Sequence, residues 1–183
     1  NIKDALIKLK DDGYTFDGVV ACAGMQKISP ITGINEKDLF EIFQLNLFAN
    51  LFLLKNMLRI GIMSNGASVI FISSISSERP DSGIGAYSMS KAALDNFVKV
   101  AAIEFSNKGI RVNSIRPGLI KTKMTSNQVA YSDEFLLSEK MKYKLGEGKP
   151  EYVTKLVEFL LSNDSSWITG QNITIDGGRN LHQ

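Results

Sequence analysis

One cysteine and one histidine occur in 183 residues. A lone Cys22 forms neither an internal disulfide nor a thiolate metal cage, so no metal site is expected. It closes an apolar strand, where a buried and inert thiol is the expected state. His182 stands in the C-terminal tail. A Ser-His-Asp hydrolase would need that tail folded back over the core, so this chemistry is set aside. Basic residues number 21 against 19 acidic ones and form no block, which argues against a nucleic-acid partner. No basic start followed by an apolar signal segment is present, and a cytoplasmic location is expected. The chain opens on Asn1 rather than methionine, so residues upstream are anticipated. The long apolar run from Leu39 to Met63 is broken by Glu41, Gln44, Asn46, Asn50, Lys55 and Arg59. Such a run packs inside a protein and does not span a bilayer.

What is present fits one domain with a full core: a 44% hydrophobic content is ordinary for a globular chain of this length. Ile2 to Lys10 reads as an amphipathic helix stopped near Asp12-Gly13. Asp17-Gly18-Val19-Val20-Ala21-Cys22-Ala23-Gly24 is an apolar run closing on glycine, hence a buried strand entering a loop. The loop continues to Asn35, with Pro30 and Gly33 as breakers. Asn35 caps a helix expected to run from Glu36 to about Met63. Apolar residues cover nearly its whole circumference, so it should be buried on two sides, against its own sheet and against a second subunit. Ser68 to Ile72 is the next strand, Gly85 to Asn107 a helix rich in small residues, and Ile110 to Ile115 a third strand ended by Pro117-Gly118. Thr125 to Lys144 is polar and helix-prone, as in a mobile lid. Glu151 to Leu161 is a short helix, and Asn172 to Ile175 the last strand. Strands alternating with helices imply an α/β fold with a parallel sheet covered on both faces.

Chemistry concentrates around Ala86-Tyr87-Ser88-Met89-Ser90-Lys91. Tyr87 and Lys91 are four residues apart, so a helix raises phenol and ammonium from one face, one turn apart. Ser74 ends the apolar run Ser68-Val69-Ile70-Phe71-Ile72-Ser73-Ser74 and reaches that face from a strand tip. A hydroxyl donor, an acidifiable phenol and a neighbouring cation make a carbonyl-reducing site that needs no histidine. Taken singly, Tyr87 reads as an ordinary helix residue and Lys91 as a solvated charge. Asn46, polar within a very apolar helix, must find a buried partner.

From about Asp17 to Gly178 the chain resembles the short-chain dehydrogenase/reductase family. Ala21-Cys22-Ala23-Gly24 takes the place of the family's Asn-Asn-Ala-Gly turn, with both asparagines replaced. Asn46 falls where the family has its helical active-site asparagine, and Ser74, Tyr87 and Lys91 match its serine, tyrosine and lysine. Pro117-Gly118, Ile120 and Thr122 match the segment that receives the nicotinamide carboxamide. Trp167-Ile168-Thr169-Gly170-Gln171 and Asp176-Gly177-Gly178 resemble the closing strand. Six ordered elements at compatible spacing carry this resemblance; Tyr-x-x-x-Lys alone would not.

The resemblance implies a Rossmann-like doubly wound parallel sheet and an NAD or NADP cofactor. It implies Asn46, Ser74, Tyr87 and Lys91 as the catalytic set. Ala23, Gly24, Tyr87, Lys91, Pro117, Gly118, Ile120 and Thr122 are the implied cofactor contacts. Ser74 would bind the carbonyl oxygen of a small ketone or secondary alcohol, and Tyr87 would pass the proton. Lys91 would lower the phenol's pKa and touch the ribose, while Asn46 would serve a water-linked proton relay. A homo-dimer or homo-tetramer is implied as well. No Gly-x-x-x-Gly-x-Gly element precedes Asp17, so the family's N-terminal strands and pyrophosphate-binding turn are expected to be lacking here. The Val19-Val20 strand would then present a free apolar edge. Two rival readings stay open: an inactive scaffold that keeps the fold, and a lyase or epimerase of the extended relatives. For substrate, 3-oxoacyl-thioester reduction is the family's commonest choice, followed by sugar and steroid alcohols. Met124, Phe135, Leu136 and Leu137 are expected pocket contacts.

Overall fold

A computed structural model describes residues 2–122 and 141–181. Met124, Phe135, Leu136, Leu137, most of the expected lid and His182 lie outside the described residues.

Four strands form one sheet in the order β1 (Phe16–Ala21), β2 (Met63–Ile72), β3 (Arg111–Pro117) and β4 (Asn172–Ile175). All three pairings are parallel, with Val19 beside Val69, Ile70 beside Asn113 and Ile115 beside Ile173. Parallel neighbours need a crossover, and helices supply each one. α1 (Ile2–Asp11) precedes the sheet; α2 (Glu36–Phe43) and α3 (Ala49–Ile60) join β1 to β2. α4 (Gly85–Phe105) joins β2 to β3, and α5 (Pro150–Leu161) precedes β4. β1 pairs with β2 alone among the described residues.

Side chains alternate across each strand and so feed two layers. Val69, Phe71 and Val112 pack against Leu54 of α3 and Leu94, Val98 and Ala101 of α4. Ile70 and Ile115 point to the opposite face, where Leu160 of α5 meets them. Each of these valine, leucine, isoleucine and phenylalanine side chains contributes about 1.5–3 kcal/mol by leaving water. α5 is held at its C-terminus by a buried cation. Arg111 Nη2 donates to the Leu160 carbonyl at 2.8 Å and the Ser162 carbonyl at 3.2 Å. These are carbonyls that a helix end leaves without partners.

The expected helix from Glu36 to Met63 is corrected in two places. Asn35 does cap it, its side chain accepting the Asp38 N–H at 2.8 Å. The helix then widens into a π-turn at Gln44–Phe48 before α3 begins. It stops at Ile60 because Gly61 takes the left-handed conformation, φ 69°, open to glycine. β2 consequently starts at Met63 and not at Ser68. The low-hydrophobicity stretch Met63 to Ala67 conceals this start, which the pairing of Met63 with Phe16 reveals. No described helix is long and apolar enough to cross a membrane.

Candidate active site

The C-terminal ends of parallel strands lie on one rim, and the segments leaving them gather there. β1 releases Cys22 to Gly24, β2 releases Ser73 and Ser74, and β3 releases Gly118 to Thr122. α4 begins across this rim with Tyr87 and Lys91 on adjacent turns. Between them lies a cleft of about 730 Å³. That volume is ample for a cofactor or drug-sized ligand, which typically takes about 300–1,000 Å³.

The Ser74 hydroxyl lies beside the Tyr87 phenol, close enough to influence its ionisation. That hydroxyl also accepts the Ser76 N–H at 3.1 Å, which fixes the side chain at the strand tip. Lys91 is 4% exposed, and its ammonium donates to the Ile72 carbonyl at 2.7 Å. Nζ lies 5.8 Å from the centre of the Tyr87 ring. Burial lowers the Lys91 pKa to about 8, opposed chiefly by the negative charge of Asp95. Asp95, one turn farther along α4, is itself held by Ser114 Oγ and Arg116 Nε, each at 2.8 Å.

The phenol departs from the sequence expectation. Burial raises the Tyr87 pKa, and the neighbouring Ser74 hydroxyl opposes the rise only in part. Desolvation penalises phenolate here, so Lys91 alone does not yield a base at neutral pH. A further positive charge in the cleft would be needed to draw the proton off.

Asn46 sits in the π-turn with no exposed surface. Its side-chain amide donates to the Met25 carbonyl at 2.9 Å and accepts the Met25 N–H at 2.8 Å. It also donates to Ser90 Oγ at 2.9 Å, and Ser90 Oγ donates to the Tyr87 carbonyl at 2.7 Å. The inserted residue of a π-turn reorients the side chains around it. Asn46 thereby ties the strand-end loop to the first turns of α4.

Gly24, Ser74, Tyr87, Lys91, Pro117, Gly118, Ile120 and Thr122 all border the cleft. Ala23, by contrast, is exposed and is not among the bordering residues. Asn46 lies behind the wall, acting on Met25 and Ser90. Cys22 is a correction: it is exposed and borders the cleft, because β1 ends one residue earlier, at Ala21. Partial desolvation still pushes its thiol pKa up, which keeps the thiolate scarce. Sequence reading missed the α5 wall. Pro150, Val153, Thr154 and Val157 border the cleft at helical spacing, a stripe that was visible but had no assigned direction.

Relatives decide the class. The model of a family described as enoyl-(acyl carrier protein) reductase matches residues 1–180. The diacetyl reductase, (S)-acetoin forming, of Staphylococcus epidermidis is 34% identical over 173 residues. This chain belongs to the short-chain dehydrogenase/reductase family. That diacetyl reductase match takes in 88% of this chain and 67% of the relative. A 3-oxoacyl-(acyl-carrier-protein) reductase of Thermotoga maritima is 32% identical over 97% of this chain and 71% of its own length. A short-chain type dehydrogenase/reductase structure from Mycobacterium ulcerans superposes with a TM-score of 0.88 at 34% identity. It covers 98% of this chain and 66% of that one. A 4-hydroxyisoleucine dehydrogenase mutant complexed with NADH and succinate superposes with a TM-score of 0.90 at 27% identity, over 100% of this chain and 75% of that one.

As a short-chain dehydrogenase/reductase, the chain uses a nicotinamide cofactor, and the rim fits one. A Cβ added at Gly24 would lie 3.4 Å from both Lys91 Nζ and Asn46 Oδ1, so glycine leaves open the space beside the cation. Bare backbone there permits close approach of a flat ligand.

Proposed function

We propose that this short-chain dehydrogenase/reductase interconverts a ketone and a secondary alcohol with NAD or NADP. Ser74, Tyr87 and a buried Lys91 ammonium 5.8 Å from the tyrosine ring, all on one cleft, carry the reading. The bound nicotinamide supplies or receives the hydride. Ser74 Oγ holds the substrate oxygen, and the Tyr87 hydroxyl gives up its proton to that oxygen in reduction. In oxidation Tyr87 accepts the proton, and Lys91, with the positive charge that an oxidised cofactor would bring, would offset the desolvation that raises the phenol's pKa. Lys91 holds the ribose side of the cofactor. Gly24, Pro117, Gly118, Ile120 and Thr122 hold the nicotinamide end, with Ala23 supporting the turn. Asn46 keeps Met25 and Ser90 in register and borders the proton path from behind.

For substrate we favour a dicarbonyl compound, with 3-oxoacyl thioesters first. Two similar proteins are named for 3-oxoacyl-thioester and diacetyl reduction, and both substrates carry a second carbonyl near the first. The mixed wall formed by Ile75, Ser76, Val153, Thr154 and Val157 suits a chain with alternating apolar and polar groups. Exposed apolar faces of α3 and α4 support assembly as a homo-dimer or homo-tetramer. A turnover screen with NADH and NADPH against diketones, 3-oxoacyl thioesters, sugars and steroid ketones tests the reading. Consumption of reduced cofactor with a dicarbonyl substrate is expected. Tight cofactor binding without turnover of any carbonyl would favour the scaffold alternative.

A further inference from the structure

Tyr143 stands outside the catalytic group, yet three segments of the rim meet on it. It is 9% exposed and borders the cleft. Its phenol oxygen accepts the Leu119 N–H at 2.8 Å. Its ring lies against Gly118: a Cβ added there would fall 2.7 Å from Tyr143 Cε1 and 3.0 Å from Asp176 Cα. Gly118 therefore runs between the tyrosine ring and the turn after β4, with no room for a methyl group. That turn is tied in as well, since Leu145 N–H donates to the Gly177 carbonyl at 3.0 Å. One residue earlier, Gly118 N–H donates to the Ile175 carbonyl at 3.0 Å, its last link to the sheet.

Beyond this point the chain turns away from the sheet, and Leu119 N–H would have no strand partner. A phenol oxygen at 2.8 Å sets the orientation of that peptide, while the ring face sets its depth. Backbone groups that recognise a ligand amide are effective when held in place before the ligand arrives. We infer that Tyr143 is a positioning residue that presets the Pro117–Ile120 turn and thereby the affinity for the nicotinamide half of the cofactor. The inference rests on the proposed role of this turn in holding nicotinamide.

Tyr143→Phe tests it, because the ring stays against Gly118 while the acceptor for Leu119 N–H is lost. Calorimetry on the intact natural protein would compare NADH or NADPH, whichever wild type binds more tightly, with ADP-ribose, which lacks nicotinamide. The dinucleotide should bind about tenfold more weakly, the effect of one hydrogen bond. ADP-ribose should bind within about twofold of wild type. A merely structural role would weaken both ligands alike. Gly118→Ala, which drives the turn off the ring without touching the hydroxyl, should give the same selective loss. An unchanged ratio of the two affinities in both variants overturns this inference alone. A wild-type protein that binds neither NADH nor NADPH overturns the cofactor reading and this inference with it.

Discussion

Asn46 pairs with the backbone of Met25 through both ends of its amide, accepting the N–H at 2.8 Å and donating to the carbonyl at 2.9 Å. It thus imitates one rung of a sheet across 21 residues of sequence. Met25 directly follows Gly24, so the rung holds this cleft-lining turn against α4. Asn46→Ala would leave the Met25 groups and Ser90 without this partner in a site closed to water. An unsatisfied buried group costs about 1–3 kcal/mol, and more than one is created here. A fall of several degrees in melting temperature is expected, with weaker cofactor binding alongside. An unchanged melting curve would show that Asn46 has no bracing role.

Tyr87→Phe keeps the ring beside Lys91 and removes only the transferable proton. General acid–base groups contribute typically about 10²–10⁴-fold, so turnover should fall by that factor. The fold should persist, because the ring packing is kept and the neighbouring Ser74 hydroxyl still accepts the Ser76 N–H. Steady-state rates with matched circular dichroism spectra check this. Activity within a few-fold of wild type would remove Tyr87 from the chemistry.

Lys91 links the site to stability. In the folded protein its pKa is lowered to about 8 from 10.5, chiefly by burial. Between those pH values the unfolded chain retains a proton that the folded chain has released. Stability from this group therefore rises with pH across the window from about 8 to 10.5, and its penalty is complete below about 8. Lys91→Met removes the titrating group, so this rise should vanish from urea-melt stabilities measured across the same range. The difference between the two proteins isolates Lys91 from other lysines. Parallel profiles would mean that Lys91 is not desolvated. Catalysis should be lost in the variant, since the cation beside Tyr87 is gone.

The alternation of strands with helices and the rim chemistry were legible because both follow local rules. β4 carries the expected bounds, Asn172–Ile175, and Asn35 caps where its sequence position predicts. Ser74, Tyr87 and Lys91 met on one cleft because a strand tip and a four-residue helical spacing leave little freedom. Three features escaped for physical reasons. The π-turn at Gln44–Phe48 depends on Asn46 finding Met25, a distant partner that no local pattern encodes. The phenol's raised pKa reflects desolvation, which exists only once the cleft is folded. Cys22 looked buried because the residues before it are apolar, yet the strand ends at Ala21 and the next side chain faces the opening.

The last prediction concerns assembly. Met89, Val100 and Ile103 of α4 are 51%, 45% and 75% exposed, and Phe48 and Phe52 beside α3 are 37% and 45% exposed. Met89, Ala92, Asn96, Val100 and Ile103 advance by three or four, so they form one stripe along α4, apolar at every position but Asn96. A monomer rarely leaves such a stripe in water, and a self-complementary helix face is well suited to two-fold pairing. Phe97 is unsuited to disrupting it, because it packs edge-on against Phe71 at 5.7 Å and lines the core. Leu51 is half-buried as well. Ile103→Glu places a charge on the exposed stripe without entering the core. Analytical ultracentrifugation should show a dimer or tetramer for the natural protein and a smaller species for the variant, with similar helix content in both. A natural protein that sediments as a monomer at high concentration would refute the pairing and leave the apolar face of α4 solvated.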